Sequence, residues 1–275
     1  MASSRQELWW VDGSPAAGMS RSALEALALG TLGVMTSQVV PIRNRHAVMV
    51  EDFEGLALQV LRLASPGRTP RAGVMAGWIE DAVAAFPGCA AVRLDVGFSF
   101  GSGPSDPAPT LIAAITPAHE PATAADPCRL VLASNPSVCF PPFAGLPLAV
   151  SAERASLGRT AQKRGAADVV LYDAGGLVLD LAANTLILQR PEGLCTPAAH
   201  RGAVRTPLRD RLVTQGVLTE VPIDLGVQDD GVHLILTRWG TVVPVDIVED
   251  RTLSAGSLAA QRLVAAVREA LGSPS

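Results

Sequence analysis

The sequence is nearly free of lysine, poor in aromatic residues and without long apolar runs. Of its 22 basic residues only Lys163 is a lysine, and aromatic residues make up 4% of the chain. No apolar run reaches the roughly 18–20 residues that a bilayer span needs. No apolar stretch follows a basic start at the N-terminus, so no secretory signal is visible. We therefore expect a cytoplasmic protein without a membrane partner.

Runs of basic residues and closely spaced cysteines are also missing. The net charge is −4, whereas a nucleic-acid partner calls for a basic face that neutralises phosphates. The four cysteines, at positions 89, 128, 139 and 195, form no C-x-x-C pair, so the sequence predicts neither a metal site nor a disulfide framework. We expect no nucleic-acid partner and no metal.

Apolar residues, by contrast, are abundant. They make up 48% of 275 residues, and the mean hydropathy is +0.30, enough for one large or two modest domains. Apolar periodicity and turn residues predict a chain that contains both strands and helices. A short strand that ends in a turn is predicted at 9–13. Further strands are predicted at 91–96, 110–115, 130–133, 168–172, 177–181, 185–188, 232–236 and 242–245, and helices within 48–64 and at about 149–164, 206–215 and 257–271.

A proline-rich stretch divides the chain. Residues 135–147 contain four prolines, which favours an irregular connection. The sequence therefore predicts an N-terminal α/β domain at 1–134 and a C-terminal α/β domain at 148–275, joined by 135–147.

The second half contains motifs in a fixed order: a Gly175–Gly176 turn, the pair Thr196–Pro197, Arg209 early in a helix, and Pro244–Val245 closing a strand. Upstream, FPPFAGLPLAV is similar to a segment of the aminodeoxychorismate lyases that ends in lysine, and WWVDG is similar to an opening strand. The ordered set resembles the class IV aminotransferases and 4-amino-4-deoxychorismate lyases, strongly from about residue 140 to 248 and weakly before. The resemblance implies a two-domain fold-type IV, D-amino-acid aminotransferase-like fold, a pyridoxal phosphate (PLP) site between the domains, and a homodimer.

The positions that the resemblance assigns to PLP have lost the groups that PLP needs. Pro147 stands where relatives have the Schiff-base lysine, and only an amine forms that bond. In the phosphate site Gly55 replaces an arginine, Pro207 removes a backbone donor, and Leu208 removes a hydroxyl. Lys163 lies in a last helical turn, where a cation complements the helix dipole and faces water. We therefore expect a degenerate member of the family that binds no cofactor.

Three residues are candidates for proton transfer in place of the PLP chemistry. Asp180 takes the position of the carboxylate that pairs with the pyridine nitrogen, and a hydrogen-bonded strand-end Asp is the alternative interpretation. His200 follows Thr196–Pro197 in a loop that lines the cleft in relatives, and an exposed histidine without a role is the alternative. Glu153 is a further carboxylate near the position of the lost cofactor.

Three other residues are candidates for binding the substrate. Arg238 takes the position of a phosphate-binding hydroxyl, and with Trp239 it suits an anionic group on a flat ligand. Arg238 pointing outward, with Trp239 filling the volume left by PLP, is the alternative. Arg93 aligns with a position that binds a carboxylate in some relatives, and a surface arginine on an edge strand is its alternative.

These residues favour a lyase-like, PLP-independent enzyme derived from a class IV aminotransferase or lyase. It would carry out acid–base elimination or rearrangement of a small anionic molecule, in specialised metabolism. Two alternatives stay open: a non-catalytic binding or scaffold homologue, and a true PLP-dependent aminotransferase or lyase.

Overall fold

The structure is a computed structural model and describes residues 8–11, 13–16, 35–99, 110–118, 127–134, 145–146, 152–224, 231–253 and 257–272, with the side chains of 35, 99, 152–155 and 257 excepted. The chain divides into two compact units, Met1–Glu120 with Leu146–Val150 and Pro121–Gly145 with Ser151–Ser275. Among the described helices, none combines the length and the apolarity needed to cross a bilayer.

The described part of the N-terminal unit contains a six-stranded antiparallel sheet and two α-helices. The strand order is β2-β1-β6-β5-β3-β4. The elements are β1 (Leu8–Val11), β2 (Ser14–Pro15), β3 (Met35–Arg43), β4 (His46–Ala47), α1 (Val50–Ala64), α2 (Val74–Ala85), β5 (Ala91–Ser99) and β6 (Thr110–Ala118).

Alternation along the central strand β5 places the core of this unit on one face of the sheet. Val92, Leu94 and Val96 are fully buried, while Arg93, between Val92 and Leu94, is exposed, as expected of side chains that alternate between the two faces of a sheet. Phe53, Leu56 and Val60 of α1 are buried as predicted, but Leu63, expected on the same face, is 43% exposed. Trp10 of β1 stacks on Trp78 of α2 with ring centroids 5.5 Å apart.

Within its described residues, the C-terminal unit contains two five-stranded sheets of mixed direction and three α-helices. The strand orders are β12-β11-β10-β13-β14 and β16-β15-β7-β8-β9. The elements are β7 (Arg129–Ser134), α3 (Ala152–Lys163), β8 (Asp168–Tyr172), β9 (Val178–Leu181), β10 (Thr185–Arg190), β11 (Gly193–Pro197), α4 (Pro207–Thr214), β12 (Leu218–Val221), β13 (His233–Leu236), β14 (Val242–Val245), β15 (Ile247–Val248), β16 (Arg251–Thr252) and α5 (Ser257–Ala270).

The two sheets of this unit share one apolar core. Val170 of β8 belongs to the same cluster as Leu186 of β10 and Ile235 of β13. The neighbouring residue on β8, Val169, packs instead in a second cluster with Ala161 of α3. Because successive side chains of a strand point to opposite faces, β8 has one face against the other sheet and one face against α3.

The predicted domain boundary after Ser134 is corrected by strand pairing. Strand β7 lies between β15 and β8 and is parallel to both, so it belongs to the C-terminal unit and the first boundary moves to Glu120. The sequence pattern identified the strand but not its partners, because both lie far downstream. Of the predicted connection at 135–147, only Gly145 and Leu146 lie among the described residues.

Candidate functional site

Asp180 on β9 is buried and hydrogen-bonded through both carboxylate oxygens. Its Oδ1 accepts from the N–H groups of Leu181 at 2.9 Å and Leu186 at 3.0 Å, and its Oδ2 accepts from the N–H of Val204 at 3.1 Å. Its exposed fraction is 0%. These contacts tie β9 and β10 to the loop 198–206, which is what the alternative interpretation of Asp180 expects. Its predicted role in proton transfer gains no support from this geometry.

The loop 198–206 carries His200 and is held by a buried arginine. Arg209 of α4 is 1% exposed, and its Nη2 donates to the Pro197 carbonyl and to Glu220 Oε1, both at 2.6 Å. Glu220 on β12 also accepts from the Ala199 N–H at 3.0 Å. His200 lies in the short 3-10 turn Ala199–Arg201 and is exposed.

Glu220 is ionised more readily than an ordinary glutamate. Partial burial raises the pKa of its carboxyl. The hydrogen bonds from Arg209 and Ala199, together with the charges of Arg209 and His200, outweigh burial and hold the pKa below its ordinary value. The charge of His200 therefore acts on the carboxylate that anchors its own loop.

Gly145 connects this loop to the AGLP segment. The Arg205 N–H donates to the Gly145 carbonyl at 2.7 Å. Gly145 has φ +76°, and a Cβ there would lie 2.9 Å from the Ala199 carbonyl oxygen, so no larger residue fits without a shift of the loop. Pro147, two residues later, lies outside the described residues.

Arg238 and Trp239 lie in the turn between β13 and β14, and both are half-buried. Burial raises the pKa of Asp168, while N–H donors and the nearby charge of Arg238 act to lower it. Asp168 is 2% exposed and accepts from Asn184 Nδ2 at 2.8 Å. Arg238 therefore lies close enough to a buried carboxylate to stabilise its charge.

The residues at the positions that the resemblance assigns to PLP do not fit that group. Pro207 is the first residue of α4 and has no N–H, although Thr206 caps this helix as predicted, accepting from the Arg209 N–H at 3.2 Å. Leu208 is 5% exposed and packs under the turn after β13, where a Cβ on residue 240 would lie 3.6 Å from it.

Neither the remaining described PLP position, Gly55, nor the only lysine of the sequence, Lys163, offers PLP a partner. Gly55 lies in α1, and a Cβ built there would have no atom within 4 Å, so an arginine side chain would have room to leave the helix. Lys163 is exposed in the last turn of α3, just before Gly165, whose φ of +65° fits the predicted left-handed cap.

Arg93 and Glu153 complete the predicted set. Arg93 lies on β5, between β3 and β6, so the expectation of an edge strand is wrong. Its side chain is 54% exposed, and its Nε lies 2.7 Å from Asp95 Oδ2. Glu153 lies in the first turn of α3, and its side chain is outside the described set.

The structure thus brings only some of the predicted residues together. Asp180 is hydrogen-bonded to the loop 198–206, which also carries His200. Arg238 and Trp239 lie in a separate turn of the same unit, and Arg93 and Gly55 belong to the N-terminal unit. Sequence reasoning missed Glu220 and Asp168, because neither belongs to a motif and their partners come from distant segments.

In the described part of the chain, neither the cysteines nor other possible metal ligands form a metal-binding or reactive site. Cys128 and Cys195 are buried free thiols and Cys89 is half-buried. Burial, with the charges of Asp246 and Asp168, raises the pKa of Cys128 to about 11. No group of three or more His, Cys, Asp or Glu side chains within the described ranges is placed to hold a metal ion.

The described residues form two sheets with helices in one unit and a six-stranded sheet with helices in the other, a mixed α/β fold that known structures share. A branched-chain aminotransferase from Thermoproteus uzoniensis with norvaline matches with a TM-score of 0.76 and 16% identity, over 96% of this chain and 95% of that chain. A fold IV transaminase from Curtobacterium pusillum gives 0.72 and 15%, over 96% and 98%. The 4-amino-4-deoxychorismate lyase from Pseudomonas aeruginosa gives 0.70 and 20%, over 95% and 98%.

The chain therefore has the fold of the fold-type IV PLP enzymes, as the resemblance implied. At these identities the likeness concerns the fold. No family model matches the sequence, and no curated protein matches it.

Proposed function

We propose that this chain binds a small anionic molecule without using PLP. One observation carries the proposal: the only lysine, Lys163, is exposed at the end of α3. PLP enzymes hold their cofactor through a lysine amine that forms a Schiff base. A lysine in the last turn of a surface helix is stabilised by the helix dipole and by water.

The chemistry around Pro207 and Leu208 supports the same proposal. A phosphate at a helix N-terminus is bound by backbone N–H groups and hydroxyls. Pro207 has no N–H, and Leu208 is part of the apolar core. Each lost charge-assisted hydrogen bond weakens binding by roughly 1.5–3 kcal/mol.

The experiment is spectroscopic. The purified protein is incubated with PLP, scanned for the visible Schiff-base band, reduced with borohydride and mapped by mass spectrometry. We expect no band that survives dialysis, and the same result for Lys163→Arg. A stable band in the wild type that is lost in Lys163→Arg would overturn the proposal in favour of a PLP-dependent aminotransferase or lyase.

We further propose that Arg238 supplies the main positive charge for the ligand and that Trp239 gives it an aromatic wall. Both are half-buried in one turn, where a guanidinium interacts more strongly than in bulk water. A panel of small carboxylates and phosphates is tested by thermal shift. We expect a stabilising member whose effect is lost in Arg238→Gln and kept in Arg262→Gln, an exposed arginine on α5. Equal shifts in both variants would exclude Arg238.

A second candidate function is catalysis, as acid–base elimination or rearrangement of the bound anion in specialised metabolism. His200 favours it, because its exposed imidazole acts on the anchored carboxylate of Glu220. Once an anion that the protein converts has been identified, His200→Gln should abolish its turnover and leave its binding unchanged. Unchanged turnover in this variant would exclude His200 from the chemistry. If no anion that binds is converted, the non-catalytic alternative is favoured, which the hydrogen bonds of Asp180 also support.

A further inference from the structure

A groove of about 670 Å³ opens among residues of the N-terminal unit, and its described lining includes none of the PLP or substrate positions named above. One wall is the turn between β3 and β4, and the opposite wall is the C-terminal half of α2 with the loop that leads to β5. We call it the hairpin groove. Its volume lies within the range of about 300–1,000 Å³ that is typical of small-molecule sites.

The turn that forms one wall of the hairpin groove has an unfavourable backbone. Asn44 and Arg45 are the two residues of a tight hairpin loop, and both have left-handed φ values, 51° and 65°. Such a turn favours Asn at its first position and Gly at its second. An arginine in the second position is strained, and residues held in strained conformations are concentrated at functional sites.

A third left-handed residue borders the same place. Met49, which precedes α1, has φ 59°, so three of the four such non-glycine residues in the described chain lie within six positions. The segment from Asn44 to Met49 is thus held by its surroundings in a shape that its sequence does not prefer.

The lining of the hairpin groove is apolar at the floor and charged at the rim. Ile42 and Phe86 are buried, with exposed fractions of 8% and 6%. Arg45 and His46 are exposed on the hairpin side, and Glu80 is exposed on α2. An apolar floor beside a guanidinium and an imidazole suits a ligand with an apolar body and one anionic group.

We propose that the hairpin groove is a binding site for a small amphipathic anion, with the apolar body on Ile42 and Phe86 and the anionic group on Arg45. In this site the charge of the strained Arg45 faces the ligand. All of its described lining residues belong to the N-terminal unit, and the proposal does not depend on the function proposed for the C-terminal residues.

Cys89 provides a local reporter. It lines the hairpin groove and is half-buried, whereas Cys128 and Cys195 are buried. In a Cys139→Ser background, the rate of Cys89 alkylation by iodoacetamide is measured with two probes, 8-anilinonaphthalene-1-sulfonate and its uncharged relative N-phenyl-1-naphthylamine. Burial raises the pKa of the Cys89 thiol, so the reaction is run at mildly alkaline pH. We expect both probes to slow alkylation, and the sulfonate to do so at lower concentration.

The variant Arg45→Gly separates the effect of the Arg45 charge on binding from any effect on the stability of the fold. It replaces a strained residue with the one that the turn prefers, so the midpoint of thermal unfolding should be equal or higher. It should weaken protection by the sulfonate probe about fivefold, the upper end for an exposed charge pair, and leave the uncharged probe unaffected. Arg68→Gly, an exposed arginine of the same unit, should change neither.

A matched pair of variants on α2 tests the position of the site. Ala84 lines the hairpin groove and Ala85 does not, and both are exposed. Ala84→Trp should abolish protection by both probes, while Ala85→Trp should not. The proposal is overturned if the probes leave the alkylation rate unchanged, if Arg45→Gly binds the sulfonate as the wild type does, or if alkylation without probe accelerates on dilution, which would indicate that a second copy of the chain covers the groove.

Discussion

Asp180 and Asp168 lie buried in the C-terminal unit, and each accepts several backbone N–H groups. Asp180 binds three of them, from Leu181, Leu186 and Val204. A carboxylate with two acceptor oxygens satisfies donors that a neutral side chain cannot. At the residue scale, Asp180, which the resemblance assigns to PLP chemistry, joins two strands and a loop.

Replacing Asp180 should therefore reduce stability. Asp180→Asn converts one acceptor oxygen into a donor that faces a backbone N–H, and a buried unsatisfied donor costs about 1–3 kcal/mol. We expect a loss of that size in the free energy of unfolding, measured with urea. Asp250→Asn, whose carboxylate is 95% exposed, should change stability by less than about 0.5 kcal/mol. Equal stability of both variants would contradict the structural role.

Glu220 makes stability depend on pH. The folded-state pKa of its carboxyl lies below the ordinary value of 4.5, so its contribution is fully present above pH 4.5 and is lost as the pH falls through the folded-state pKa. Glu220→Gln should be less stable than the wild type by about 1–2 kcal/mol at pH 7, and the difference should shrink below pH 4.5. Urea unfolding at several pH values checks this, with the exposed Glu269→Gln as control. A difference that does not vary with pH would refute it.

At the scale of elements, the N-terminus of α2 is capped by a carboxylate from another helix. Gly73 precedes α2, and no local side chain caps it. Glu54 of α1, 4% exposed, instead accepts from the N–H groups of Gly73 at 2.7 Å, Met75 at 2.9 Å and Ala76 at 3.3 Å. An anion at a helix N-terminus satisfies free donors and complements the helix dipole.

Removing this long-range cap should loosen the start of α2. Glu54→Gln keeps the shape but loses the charge and one acceptor, which we expect to lower the free energy of unfolding by about 1–2 kcal/mol. Amide hydrogen exchange at Met75 and Ala76 should accelerate more than exchange in the last turn of α2. Asp81→Asn, an exposed change on the same helix, should leave both measurements unchanged, and uniform exchange across α2 in Glu54→Gln would count against the cap.

The N-termini of α4 and α2 are capped in different ways, and this difference explains why the sequence predicted the first helix and not the second. Helix α4 was predicted because its Thr206 cap and Pro207 are adjacent in the chain. Neither α2 nor β3 was predicted, since the cap of α2 comes from Glu54, and β3 is identified by its pairing with β5. In the candidate site too, the sequence indicated local features but not contacts between distant segments. Motif spacing indicated which positions to compare, but the partners of Asp180, Arg209 and Arg238 depend on strand pairing across the unit.

At the scale of the whole molecule, we expect a homodimer. The chain is 48% apolar, and the fold-type IV resemblance implies a two-fold assembly, whose interface would bury part of this surface. Light scattering at micromolar concentration should give twice the chain mass of 28.5 kDa. A mass of one chain across the concentration range would contradict the expectation.

The position of β7 affects how the protein can be made. This strand lies between β8 and β15, and its partner β15 begins 118 residues after Arg129. During synthesis, the apolar residues of β7 leave the ribosome well before the second neighbour exists. Parallel pairing across such a separation is slow and leaves an open strand edge exposed to other chains. Nascent chains released before Ile247 should therefore aggregate more than full-length ones, and fragments cut after Ser134 should reassociate less well than fragments cut after Glu120.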